Sequence, residues 1–148
     1  MTYKGKIDQK IVYESAEGCA KYAPFYKSDE PFLNSFDQKL LLRTVRDLKG
    51  LKILDAGCGE GRLMNLFKKR EADYVIGTDI SPDMLSYAEK LHFYKELIVH
   101  DVREELPFDW KSLDVIFCTL VLVHIAERDI SKVLAEFYRT LTDDGILY

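Results

Sequence analysis

The rhythm of apolar positions along the chain changes at Leu51. Upstream of it, Phe36, Leu40, Leu41, Val45 and Leu48 recur at intervals of about three and four, and Gly50 follows. That spacing predicts a packed helix from Ser35 to Leu48 that stops at the glycine. Downstream, short apolar runs alternate with amphipathic stretches, in the order LKILD, GRLMNLFKKR, YVIGTD, SPDMLSYAEKL and ELIVHD. Alternation of this kind predicts strand-helix-strand units and therefore a parallel sheet.

The second of these helices has a well-marked start, because Ser81 can cap it and Pro82 stands where a missing N–H costs nothing. Met84, Leu85, Ala88 and Leu91 form its apolar stripe. A fourth strand, LDVIFCT, leads through LVLVHI to a helix with Ile130, Val133, Leu134, Phe137 and Leu141 on one face. TDDG then predicts a turn into a fifth strand, ILY. A parallel sheet ending there leaves its last strand without an outer neighbour. Two expectations follow: residues beyond Tyr148 in the natural protein, or a homodimer through this edge if Tyr148 is the true terminus.

The expected architecture is α/β, a Rossmann-like doubly wound, mostly parallel sheet over residues 35–148, preceded by an N-terminal helical cover over 1–34. That first segment mixes aromatic rings with Gly18, Pro24 and Pro31, a composition suited to a lid. Tyr13, Tyr22 and Tyr26 are its candidates for closing over a ligand or lining an acceptor pocket. At 148 residues the chain fits one domain able to bury roughly 70% of its unfolded surface. No apolar run approaches the roughly 20 residues of a membrane span, and the N-terminus lacks the apolar block of a secretory signal, so a cytoplasmic location is expected. Three cysteines without a C-x-x-C pair predict neither a disulfide framework nor a metal site. A net charge of -4 with dispersed basic residues argues against a nucleic-acid partner, and KKR at 68–70 reads as the solvated end of a helix.

Three predicted strands end in an acid, at Asp55, Asp79 and Asp101. Each interval holds about one helix and one strand, so right-handed crossovers bring all three carboxylates to one edge of the sheet, where ligands of open parallel sheets bind. Between the first two acids, Gly57, Gly59 and Gly61 permit positive φ and leave room for a ligand against the backbone. A helix beginning near Gly61 offers free N–H groups to an anion, while Asp55 and Glu60 suit a cation. The ligand should therefore carry both signs close together, as an amino acid does. Asp79 suits vicinal ribose hydroxyls and Asp101 an exocyclic amine such as that of adenine; together these parts describe S-adenosylmethionine.

A nicotinamide dinucleotide is the rival, since its G-x-G-x-x-G fingerprint also precedes a helix and an acid. Here the third glycine falls one residue early and Arg62 takes the sixth position. Two acids at the loop would also repel a pyrophosphate, by roughly a few kcal/mol per close pair. No G-K-[ST] closes the loop as a phosphate-binding P-loop requires.

ILDAGCGEGRL, VIGTDIS, VHDV and LDVIFCTLVLVHI resemble the successive motifs of class I S-adenosylmethionine-dependent methyltransferases, and LTDDGIL resembles the entry to that family's fifth strand. The likeness runs from about Lys52 to Tyr148. It implies that Asp55 with Gly57, Cys58, Gly59 and Gly61 holds the methionine end, Asp79 with Ile80 the ribose, Asp101 with Val102 the adenine, and that Thr119 and Leu120 wall the reacting methyl. The family's sheet normally has seven strands, of which this chain reaches the fifth. CTLV stands where enzymes acting on nucleobase or glutamine amino groups often carry an N-P-P-Y-like tetrapeptide, which resembles the small-molecule branches.

Methyl transfer to a small-molecule acceptor, leaving S-adenosylhomocysteine, is accordingly the leading expectation. The alternatives are a module that binds the donor without turnover and a nicotinamide oxidoreductase. His124, just past the fourth strand, is the candidate general base, with a packed or pocket-lining histidine as the plainer reading. Cys58 has no His or Cys partner in sequence that would make it a nucleophile. His100 is expected on the strand face opposite Asp101.

Overall fold

The computed structural model describes residues 39–148, so the predicted 1–34 cover, with Tyr13, Tyr22 and Tyr26, lies outside the described residues. Five strands form one sheet: β1 (Lys52–Ala56), β2 (Tyr74–Asp79), β3 (Glu96–Val99), β4 (Leu113–Phe117) and β5 (Leu141–Leu147). Their order is β3-β2-β1-β4-β5, and every neighbouring pair is parallel. Strand order reverses between β1 and β4, the point where a doubly wound sheet opens a crevice at its carboxyl edge.

Alternation along the strands sorts the core into two layers. Ile53, Val75, Val115 and Phe117 pack with Leu63, Leu66 and Phe67 on one face, where Leu41, Val45 and Leu48 join them. Leu54, Ala56, Ile76 and Ile116 pack with Val133 and Phe137 on the other. Leu66 and Phe67 come from α1 (Met64–Lys69) and Val133 and Phe137 from α3 (Glu127–Thr140), while α2 (Pro82–Glu89) packs against β2 and β3. As predicted, Ser81 caps α2, its hydroxyl accepting from the Met84 N–H at 3.3 Å, with Pro82 in the first position.

Three expectations are corrected. Helical residues end at 44 rather than Leu48, because Leu48 turns its N–H to the Arg70 carbonyl at 2.9 Å; Leu40 is exposed, while Leu41, Val45 and Leu48 are buried as expected. The helix after the glycine loop starts at Met64, not near Gly61, and is only six residues long. TDDG is not a turn before a strand: β5 begins at Leu141 directly after α3, and the segment bulges within it, Leu113 pairing with Leu141 but Val115 with Ile146. Among the described residues no helix is long and apolar enough to cross a membrane, and no group of His, Cys, Asp or Glu could hold a metal ion.

Candidate functional site

The loop after β1 crosses the carboxyl ends of the strands in a conformation only glycine adopts freely. Gly57, Gly59 and Gly61 have φ of 74°, 56° and 92°. Gly57 is also sterically required, since a Cβ there would lie 2.3 Å from Cγ2 of Val121. The loop is tied to the end of β2: Gly57 and Cys58 donate their N–H groups to the Thr78 carbonyl at 2.7 and 2.8 Å, and Gly59 donates to Oδ2 of Asp79 at 2.9 Å. Gly61 N–H turns back to the Cys58 carbonyl at 3.0 Å. These four amides therefore close the loop on itself and on β2, a different use from the anion-binding helix start that the glycine spacing predicts.

Above this edge lies one cleft. Gly57, Cys58 and Gly59 form its floor with Asp79 and Ile80, Asp101 and Val102 stand on the β3 side, and Thr119, Leu120 and His124 stand on the β4 side. The crossovers thus bring eleven of the sequence-predicted residues, Glu60 among them, to one cavity. Asp55 and Gly61 are not in its lining. Asp55 is buried beneath the loop, where the Tyr94 hydroxyl donates to its Oδ2 at 2.9 Å. Burial pushes its carboxyl up to about 7, with Tyr94 and the Arg62 charge pulling the other way.

Asp79 and Asp101 are both held in place. Asp79 accepts from Gly59 with one oxygen and from the Ser81 N–H, at 2.9 Å, with the other; burial raises its pKa despite these bonds. Asp101 accepts from its own loop at the Arg103 N–H, 3.0 Å, and from the Arg103 guanidinium at 2.6 to 3.0 Å. Asp79 accepts one such bond on each oxygen and keeps lone pairs for a ligand, whereas both oxygens of Asp101 already accept two contacts each from Arg103. His124 is exposed at the rim, and its partial desolvation lowers the imidazole pKa, which favours the neutral, proton-accepting form near pH 7. Leu120 holds φ of 61°, a left-handed conformation rare for a side chain of its size, at the point where β4 meets the cleft.

Several lining residues escape the sequence reading. Arg62 donates to Thr119, Nη2 to Oγ1 at 2.6 Å, and Met84, Arg103, Val121 and Ile125 complete the wall beside Glu60, which the sequence reading places at the loop. His100 is also there, contrary to the expected opposite face: β3 ends at Val99, so strand alternation no longer governs the next residue. Arg62 and Arg103 had a visible signal, each lying within two residues of a motif position; Tyr94 had none, being 39 residues from its partner.

Positive-φ glycines under the cleft, an acid at the end of β2 and another after β3 fit the amino acid, ribose and base of S-adenosylmethionine. A family model described as a methyltransferase domain matches residues 53–145. The chain is 31% identical to a malonyl-[acyl-carrier protein] O-methyltransferase of Hamiltonella defensa, over 72% of this chain and 40% of that protein. It is 32% identical to the ubiquinone/menaquinone biosynthesis C-methyltransferase UbiE of Campylobacter jejuni, over 67% of this chain and 43% of that protein. A solved structure of Haemonchus contortus phosphoethanolamine N-methyltransferase 1, in complex with phosphoethanolamine and S-adenosylhomocysteine, superposes with a TM-score of 0.75. It is 20% identical and covers 99% of this chain and 32% of its own, a likeness of fold. The chain thus spans less than half the length of each of these relatives. The match sets the nicotinamide alternative aside, and the chain belongs to the class I S-adenosylmethionine-dependent methyltransferases.

Proposed function

We propose that this chain moves the methyl group of S-adenosylmethionine to a small-molecule acceptor by in-line displacement. The observation that carries the reading is the meeting, in one cleft, of two carboxylates suited to a nucleoside, Asp79 and Asp101, with Thr119, Leu120 and His124 from the segment after β4. The donor supplies an electrophilic methyl carbon: an acceptor lone pair forms the new bond, the carbon–sulfur electron pair returns to sulfur, and the acceptor's proton leaves. Asp79 with Ile80 would hold the ribose, Asp101 with Val102 the adenine, and the loop from Gly57 to Gly61 the methionine end.

Orientation in a dry cleft accounts for most of the expected acceleration, since well-oriented reactants gain roughly 7 to 11 kcal/mol. A general base adds approximately 10²- to 10⁴-fold. His124 is proposed for that part, and Tyr13, Tyr22 and Tyr26 for the acceptor pocket. Relatives whose names state O-, C- and N-methylation support methyl transfer in general and leave the acceptor atom open.

Incubation with methyl-labelled donor and a panel of carboxylate, phenol, amine and activated-carbon acceptors tests the proposal. Label transfer to one small-molecule class supports it, with His124→Ala lowering turnover while donor affinity stays unchanged. Tight donor binding with no transfer to any class would instead identify a binding module.

A further inference from the structure

The glycine loop rests on a side chain outside every strand-end motif. Tyr94 stands in the connection between α2 and β3, and its hydroxyl donates to Oδ2 of Asp55 at 2.9 Å. Two glycines make room for the ring: a Cβ on Gly61 would lie 3.3 Å from its Cε2, and one on Gly77 3.1 Å from its Cδ1. Phe93 meets the ring edge-on at 5.6 Å and itself stacks on Phe67 at 6.1 Å. The phenol is therefore fixed by packing, and burial pushes its pKa far above the ordinary value, so it remains a donor at every working pH.

Asp55 faces four further groups. Arg62, from the turn before α1, opposes its charge; Asp79, at the end of β2, repels it. Cys58 of the loop and Cys118 beyond β4 are thiols that burial pushes up, Cys118 to about 12, so both stay neutral. We propose that Tyr94 is a positioning residue for the methyl donor: its hydroxyl fixes the Asp55 carboxylate beneath the glycine loop, and that charge steadies the donor's ammonium group from behind the cleft wall. The proposal rests on the reading of the cleft as a site for S-adenosylmethionine and assigns the charge at its amino-acid end to a pair outside the lining.

Calorimetry between pH 5.5 and 8.5 tests it with two probes, S-adenosylhomocysteine, which carries the amino-acid end, and 5′-methylthioadenosine, which lacks it. In the unsubstituted chain, S-adenosylhomocysteine affinity rises with pH through about 7, where Asp55 ionises, and methylthioadenosine affinity is flat. Tyr94→Phe removes the bond that favours the carboxylate, so the rise moves to higher pH and S-adenosylhomocysteine binds several-fold more weakly at pH 7, with methylthioadenosine unaffected. In an Asp55→Asn background the rise disappears and Tyr94→Phe adds nothing. An unmoved midpoint in Tyr94→Phe, or equal weakening of both probes, overturns the role of Tyr94 alone. Binding of neither probe by the unsubstituted chain overturns the cleft reading and this proposal with it. If Tyr94→Phe does not fold, the ¹³Cζ shift of Tyr94 in the unsubstituted chain is followed instead. A midpoint shared with the pH dependence of S-adenosylhomocysteine binding supports the coupling, and a flat or unrelated titration refutes it.

Discussion

Gly59 donates its backbone N–H to Oδ2 of Asp79, 20 residues further along the chain, at 2.9 Å. One carboxylate thereby ties the glycine loop to the β2–α2 turn, because its other oxygen accepts the Ser81 N–H. Asp79→Ala should raise the exchange rates of both amides more than tenfold over the surrounding strand amides, as hydrogen exchange followed by NMR would show. Asp79→Asn offers one acceptor oxygen in place of two, so one of the two amides keeps its protection. Protection of both in the alanine variant would contradict the clasp.

The loop glycines differ in what their hydrogens avoid. At Gly57 a methyl would meet Val121, whereas at Gly59 nothing lies within 4 Å. Both hold positive φ, which costs an alanine about 1–2 kcal/mol. Gly57→Ala should therefore lose more stability than Gly59→Ala in thermal melts, by a further ~1–3 kcal/mol for the forced contact. Equal losses would show that Val121 yields freely.

Asp55 predicts an unusual dependence of stability on pH. Its folded-state pKa is raised from 3.8 to about 7, so the folded chain holds a proton that the unfolded chain has released. Below pH 3.8 both states are protonated and there is no penalty; as pH rises to about 7 the penalty grows, reaching several kcal/mol above it. Asp55→Asn should flatten that part of the stability curve and stabilise the chain at pH 8, as denaturant titrations at a series of pH values would measure. A wild-type curve that rises from pH 4 to 7 in step with the Asn variant would contradict a buried, protonated Asp55.

Sequence made the cleft legible where local pattern and topology coincide. Asp79 and Asp101 follow strands whose apolar runs are plain, and parallel crossovers leave such positions one destination. The loop glycines were readable because backbone conformation is a local property. Asp55 carried the same strand-end signal, yet its side chain is buried below the loop against Tyr94, which no spacing rule connects to it. His100 escapes strand alternation because β3 ends at Val99, and TDDG bulges within β5 because β4 offers a pairing that turn-forming composition does not show.

Arg139 shows the same limit on the far side of the sheet. From α3 its guanidinium donates to the carbonyls of Leu106 and Phe108, each at 2.9 Å, and to Glu136. Glu136 in turn accepts the Leu106 N–H at 3.0 Å, so the pair holds the connection that leads from Asp101 to β4. Arg139→Ala leaves two carbonyls and a carboxylate without this donor and should cost ~1–3 kcal/mol, lowering Tm by roughly 3–8 °C. An unchanged melting temperature would mean that water replaces the arginine at no cost.

Titration calorimetry with S-adenosylhomocysteine tests most directly whether the acids gathered at one sheet edge hold S-adenosylmethionine in the cleft. One product molecule should bind per chain, with Asp79→Ala weakening it at least tenfold, or about 1.4 kcal/mol. No heat of binding in the unsubstituted chain, or equal affinity in the alanine variant, would contradict it.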